Sequence, residues 1–320
     1  MEKLFGSLFS FSKSSEEERK EKDNRKKFDV LKYDGIRAQK MNKLPYAIKC
    51  FSEALVIEEE LETMSHLAGA YAMARENEKA LEVLDRMIEI DSTQVNILYS
   101  RVSVLFLLDK NIEVLEECSR ILALEPSSGI AYFLMGKAKN HLSDLDGAYD
   151  ELTKSIELNP ELPDTFLLRA EVLLHKGVGE QVLADVEKVI SLEGDEESAT
   201  LLKGQALELL SDKTGAEKCY RQVLEMNPFS EKSGLLLTRL LSSLERFAEA
   251  LELLEEIIEL SPSSAEAYEE RSNIKNQKGD SSGAETDILK AAELRKVNAE
   301  KLTDTEKDQG FDKMYKGGIY

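Results

Sequence analysis

The chain has 320 residues, with 62 acidic against 42 basic side chains and a formal charge of −20. Such a surface repels phosphate backbones and anionic lipid, so neither nucleic acid nor a membrane surface is an expected partner. Hydrophobic residues make up 42% of the chain, enough for a core, yet no apolar run approaches the roughly 20 residues of a membrane-spanning helix, and no transmembrane segment is expected.

Residues 1–27 are distinct material. Leu4, Phe5, Leu8, Phe9 and Phe11 put large apolar side chains at i, i+4 spacings on a very short segment. The opening MEKLFGSLFSFSK has a broken apolar stretch and no small-residue cleavage site, so a signal peptide is not expected. Ser15 with Glu18 fits a capping box for a charged helix through Lys27. The apolar tip reads either as a frayed end or as an element that docks on a partner or on the first repeat.

From Ala47 onward a small residue returns on a fixed beat: Ala47, Ala80, Val114, Ala148, Val182, Ala216, Ala250 and Ala284, with a first step of 33 residues and six of 34. A period of this length means that no unit buries its own apolar face; each must stack on a neighbour. The units run 28–60, 61–94, 95–128, 129–162, 163–196, 197–230, 231–264 and 265–296. Chain length alone suggests two domains, but the unbroken period predicts one continuous core along the stack.

With the repeating small residue as position 20, position 8 reads Gly35, Ala68, Val102, Gly136, Ala170, Gly204, Thr238 and Ser272. Small residues at both places let two helices approach closely. Position 24, about one turn beyond position 20, carries the larger apolar knobs Phe51, Leu84, Cys118, Leu152, Val186, Tyr220, Leu254 and Ile288. Pro126, Pro160, Pro228 and Pro262 all occupy position 32, Gly194 replaces proline in the fifth unit, Pro163 opens a unit, and Pro45 falls in the turn between two helices of the first. Asn77, Asp109, Asn111, Asp144, Gly177, Ser211, Asp212 and Gly279 mark a turn inside six of the units, and Ser263 with Glu266 reads as a capping box opening the eighth. The pattern is helix, turn, helix, turn, with no alternating strand signal.

These residues resemble the tetratricopeptide repeat family from Phe28 to about Lys296. The clearest unit carries Tyr132, Met135, Gly136, Ala148, Leu152 and Pro160 at the family spacing, and the second adds Leu67 and Tyr71 to Ala80. The chain has no Trp, so position 4 holds other residues; Thr200 and Gly234 are the weakest fillers and predict looser packing in units six and seven. The resemblance implies an all-α, right-handed α-solenoid superhelix of stacked helix-turn-helix repeats. It also implies that positions 2, 5, 9, 12 and 13 of each first helix face a concave groove. Position 5 is apolar from Tyr99 through Phe133, Leu167 and Leu201 to Leu235, between Lys32 and Ser65 at one end and Glu269 at the other. Phe106, Leu107, Leu174 and Leu209 widen the stripe; Lys137, Asn140, Glu171, Gln205 and Arg239 lie beside it. An apolar floor with polar rails suits a peptide, although an apolar stripe at helical spacing is equally the mark of a core. Some family members grip acidic chaperone tails through Lys-x-x-Gly-Asn. Here Lys32 and Gly35 match, but Ile36 stands where Asn is required, with Gly69 and Ser103 in the next two units, so that clamp is not expected.

Candidate chemistry is sparse. His141 and His175 share position 13 of neighbouring units, about 8–10 Å apart at helix-packing distance. A metal needs more ligands, converging more closely, so these imidazoles read as groove lining, His66 as incidental, and no metal is expected. There is no phosphate-binding Gly-rich loop, no GxSxG and no kinase motif; no catalytic residues, enzyme activity or cofactors are expected. Cys50, Cys118 and Cys219, one each in three units, suit a reducing cytoplasmic setting as structural thiols.

After Ala284 a helix is expected to run to about Leu302, forming with the rest of residues 297–320 a helical extension and a flexible tail. Phe311, Met314, Tyr315 and Tyr320 there have the make-up of a short linear motif. The leading expectation is a scaffold or adaptor that binds a peptide segment of a protein partner in its groove. The alternative is a homo-oligomer assembled through the terminal repeats or the apolar N-terminus; the sequence leaves the oligomeric state open.

Overall fold

The computed structural model describes the backbone of residues 15–316, except residue 195, and side chains within 17–298. It is all-α, and the helices form consecutive antiparallel pairs, an α-solenoid architecture. The chain divides into two compact units, Met1–Pro160 and Glu161–Tyr320. The first holds α1 (Ser15–Lys40), α2 (Leu44–Ile57), α3 (Leu61–Met73), α4 (Asn77–Ile90), α5 (Val95–Leu107), α6 (Asn111–Leu124), α7 (Gly129–His141) and α8 (Leu145–Leu158). The second holds α9 (Pro163–His175), α10 (Gly179–Glu193), α11 (Glu197–Leu209), α12 (Lys213–Met226), α13 (Glu231–Ser243), α14 (Phe247–Leu260), α15 (Ala265–Gln277) and α16 (Ser281–Lys316). The 34-residue beat does not mark the boundary between units, which falls in the turn carrying Pro160 and Pro163. Each unit has core clusters of its own.

The periodic positions are packing positions. Every position-20 and position-8 residue is buried. Glycine at position 8 answers a large knob at position 24: a Cβ on Gly204 would lie 2.5 Å from Tyr220 Cε1, and one on Gly136 2.6 Å from Leu152 Cγ. The knobs are buried in every repeat but the last, where Ile288 is 46% exposed, because among the described residues no further helix pair covers α16. Gly234 does not loosen the seventh repeat. Ile257 fills the space its side chain would take, 2.8 Å from where a Cβ would sit. Thr200 is buried with its hydroxyl unpartnered.

The turn inside each repeat is one device used eight times. The residue at position 15 has positive φ in all eight repeats: Asn42, Arg75, Asp109, Ser143, Ser211 and Glu245, with Gly177 and Gly279. The next N–H then bonds five residues back, as Lys43 N does to Ala38 O and Arg246 N to Leu241 O, both at 2.9 Å. This closes the first helix with a left-handed cap. A non-glycine residue there is strained by about 1–2 kcal/mol. Glu245→Gly is therefore expected to raise stability by up to about 1 kcal/mol, glycine's greater freedom in the unfolded chain offsetting part of the gain; urea titration followed by circular dichroism measures it.

Three boundaries differ from the sequence reading. α1 runs unbroken from the charged segment into the first repeat, without a junction at residue 27. The cap of α15 is Ser264, which accepts from Ala267 N at 3.1 Å, and not Ser263, while Glu266 reaches Arg239. α16 continues past Leu302 to Lys316. The apolar residues of the N-terminal tip, Tyr320 and the tail side chains lie outside the described residues.

Candidate partner-binding surfaces

Within the units, first helices of neighbouring repeats touch: α1 with α3, α9 with α11 and α13 with α15. Among the described residues no pair of second helices is in comparable contact. Helices on the inside of a curved stack are the closer ones, so the first helices line the inner face and the second helices splay on the outer face.

In the first unit the inner face carries Tyr99, Phe106 and Phe133, all half-buried, with exposed Leu107 and Ile130 nearby in register. Phe106 is held from two sides. Lys137 Nζ lies 5.0 Å from its ring centroid, and the His141 ring meets it edge-on at 5.9 Å. His141 Nδ1 is 3.2 Å from Asn111 Oδ1, which orients the imidazole. Lys137 thus caps an aromatic ring, where the sequence suggested a free rail. Tyr99 hydroxyl bonds Ser128 Oγ at 2.6 Å, and Asn140 is half-buried. Lys32, the clamp-like lysine, is committed within the protein to Glu60, at 2.8 Å, and to Glu62. Burial pulls the Glu60 carboxyl up, but hydrogen bonds from Lys32 and Thr63 outweigh it and hold the group below the usual carboxylate range.

In the second unit the stripe is narrower than the sequence suggested. Leu167 and Leu174 are half-buried and Glu171 is exposed, but Leu201 and Leu235 are only 8% and 4% exposed and belong to the core. Their register serves packing because the neighbouring first helices approach so closely. Arg239 is also paired, with Glu270 at 2.6 Å and with Glu266.

Beside this pair are two adjoining cavities. One, of about 490 Å³, is lined by Gln205, Lys232, Leu235, Leu236 and Arg239 together with Glu231 and Glu266. The other, of about 540 Å³, is lined by Arg239, Ser242, Ser243, Glu270, Asn273, Asn276 and Gln277. Gln205 Oε1 is buried without a partner. Asn273 and Asn276 went unsignalled because their weight comes from the neighbouring α13, although they hold positions 9 and 12 of the same repeat frame.

Among the described residues no group of three or more His, Cys, Asp or Glu is placed to hold a metal ion, and no helix is long and apolar enough to cross a membrane. The three cysteines are buried and free. Burial, with Glu117 adjacent, pushes the Cys118 thiol up to about 12, so it stays an unreactive thiol.

Helix pairs stacked in one register, displaying an inner and an outer face, define a protein–protein interaction scaffold. Models of the tetratricopeptide repeat match residues 198–230 and 235–299, and the other repeats keep the same frame. The structure is similar to that of PilF from Pseudomonas aeruginosa, at 17% identity and a TM-score of 0.53, over 65% of this chain and 95% of that one. MamA (41-end) from Desulfovibrio magneticus RS-1 matches at 19% identity and TM-score 0.48, over 52% of this chain and 95% of that one. YrrB, described as a TPR protein with an unusual peptide-binding site, matches at 16% identity and TM-score 0.44, over 57% of this chain and 97% of that one. A comparison with curated proteins finds no match.

Proposed function

We propose that the chain is a non-enzymatic cytoplasmic scaffold or adaptor that holds a peptide segment of a partner protein on the inner faces of its repeats. The supporting observation is the pair of cavities that share Arg239, where the unpartnered Gln205 oxygen and the amides of Asn273 and Asn276 suit the N–H and C=O groups of an extended peptide. In the first unit the braced Phe106, with Phe133 and Tyr99, supplies apolar contact of the kind that anchors peptides.

Panning a phage-displayed library of short linear peptides against the full chain is expected to yield binders. Their Kd should rise about tenfold in Asn273→Ala with Asn276→Ala, equivalent to about 1.4 kcal/mol, or in Phe133→Glu with Leu167→Glu. Binders indifferent to both variants, with helical circular dichroism intact, would show the inner-face assignment to be wrong.

A homo-oligomer is the second reading, favoured by Ile288 and Leu289, 46% and 64% exposed on α16. It predicts a molar mass that climbs with concentration in light scattering and falls back in Leu289→Glu.

A further inference from the structure

The outer face carries a charged pair between its two helices in four of the eight repeats. In the third, fifth and eighth repeats an arginine at position 7 of the first helix pairs with an acid 16 residues on, at position 23 of the second. The pairs are Arg101–Glu117 at 2.8 Å, Arg169–Asp185 at 2.6 Å and Arg271–Asp287 at 2.6 Å. The fourth repeat makes an equivalent pair, Lys139–Glu151, at 2.8 Å. In the seventh repeat both positions are leucine, Leu237 and Leu253, as both are apolar in the second, Leu67 and Val83. In the seventh repeat these leucines form an apolar floor between α12 and α14.

A cleft of about 360 Å³ opens over that floor, with Leu224, Leu237, Leu241 and Leu253 among its lining. A second hollow, of about 190 Å³, shares Leu224, Leu253 and Glu256 with it and ends at Phe229 and Leu260, which are 74% and 52% exposed. The rim is acidic. Glu249 is neutralised by Arg246 and Arg221, but Glu225, Glu252 and Glu256 are exposed and make no described ion pair.

We propose that this outer cleft between α12 and α14 docks a basic amphipathic helix of a partner protein. Its apolar side would lie on Leu224, Leu253 and Phe229, and its lysines or arginines would face Glu225, Glu252 and Glu256. The occupant follows from charge complementarity: an apolar trough takes an amphipathic face, and three unpaired carboxylates on its rim select cationic flanks and reject acidic ones. The surface is separate from the inner face, so the chain would carry two docking surfaces.

The test uses the full chain and a fluorescein-labelled helical peptide with leucine on one face and lysine on the other, read by fluorescence anisotropy. Saturable binding that weakens with salt is expected. Glu225→Lys with Glu252→Lys and Glu256→Lys should raise Kd about tenfold or more; all three side chains are exposed, so the fold should persist. The same reversal at Glu82 and Glu89, exposed on α4, should change Kd far less, which separates the cleft from the general negative charge. Asn273→Ala with Asn276→Ala should leave this binding unchanged, so failure here and failure of the inner-face reading are distinguishable. Equal affinity for a glutamate-for-lysine peptide, or equal loss in the α4 control, would overturn the proposal. So would tighter binding in the cleft by a peptide of residues 1–14, which would assign it to the chain's own terminus.

Discussion

Tyr220→Ala is expected to cost about 3–5 kcal/mol, the range for emptying a large buried aromatic site. The ring is fully buried on α12 against the glycine surface of Gly204 on α11. Its hydroxyl donates to Glu208 Oε2 at 2.5 Å. The helix hairpin of the sixth repeat closes on this one knob, and the neighbouring core includes Leu237, Leu241 and Leu254. Since each repeat is stabilised mainly by its neighbours, the loss should not stay local. Urea unfolding followed by circular dichroism should become broader or biphasic, with the second unit melting first. Tyr220→Phe keeps the ring and removes only the hydroxyl, so it should cost about 1 kcal/mol. Similar losses in the two variants would mean that packing against Gly204 is not what holds the hairpin.

Asp287→Asn is expected to cost about 3 kcal/mol at neutral pH, the order found when one partner of a buried ion pair is removed. Asp287 is 3% exposed. It accepts from Arg271 at 2.6 and 2.9 Å and from Lys275 at 2.7 Å. Burial pushes its carboxyl up, but the hydrogen bonds from Arg271 and Lys275 outweigh that and hold it below the usual carboxylate range. A carboxylate with a depressed folded pKa adds stability that is fully present above its unfolded value, near pH 4, and is lost as pH falls through the folded value. The gap between wild type and Asp287→Asn should therefore be widest near pH 7 and close below about pH 4. A gap that stays constant down to pH 3 in urea melts would show that the ion pair is not the source.

The repeat frame was legible because it is local chemistry repeated. Small residues at positions 8 and 20, knobs at 24 and breakers at 32 each act within one helix hairpin, and counting suffices to find them. The arginine–acid pairs were not legible in that way. Arg101 and Glu117, or Arg271 and Asp287, sit 16 residues apart, a separation without meaning until the hairpin folds and brings positions 7 and 23 together. The candidate groove was legible only in part. Helical spacing put Leu201 and Leu235 on the same stripe as Phe133, yet spacing carries no information on how closely the next helix approaches, and that approach buries them. Arg239 and Lys137 likewise had the right positions; what they pair with, Glu270 and the ring of Phe106, depends on neighbouring repeats.

By itself, then, the sequence determined the helix pairs, their number, their turns and the class of protein, because each of these depends on contacts within about one repeat. Tertiary structure alone decided which apolar residues stay open. Curvature presses first helices together, closing Leu201 and Leu235 into the core, and spreads second helices apart, opening the acidic cleft over Leu237 and Leu253. Exposure is set by the distance between elements, and no residue encodes that distance alone.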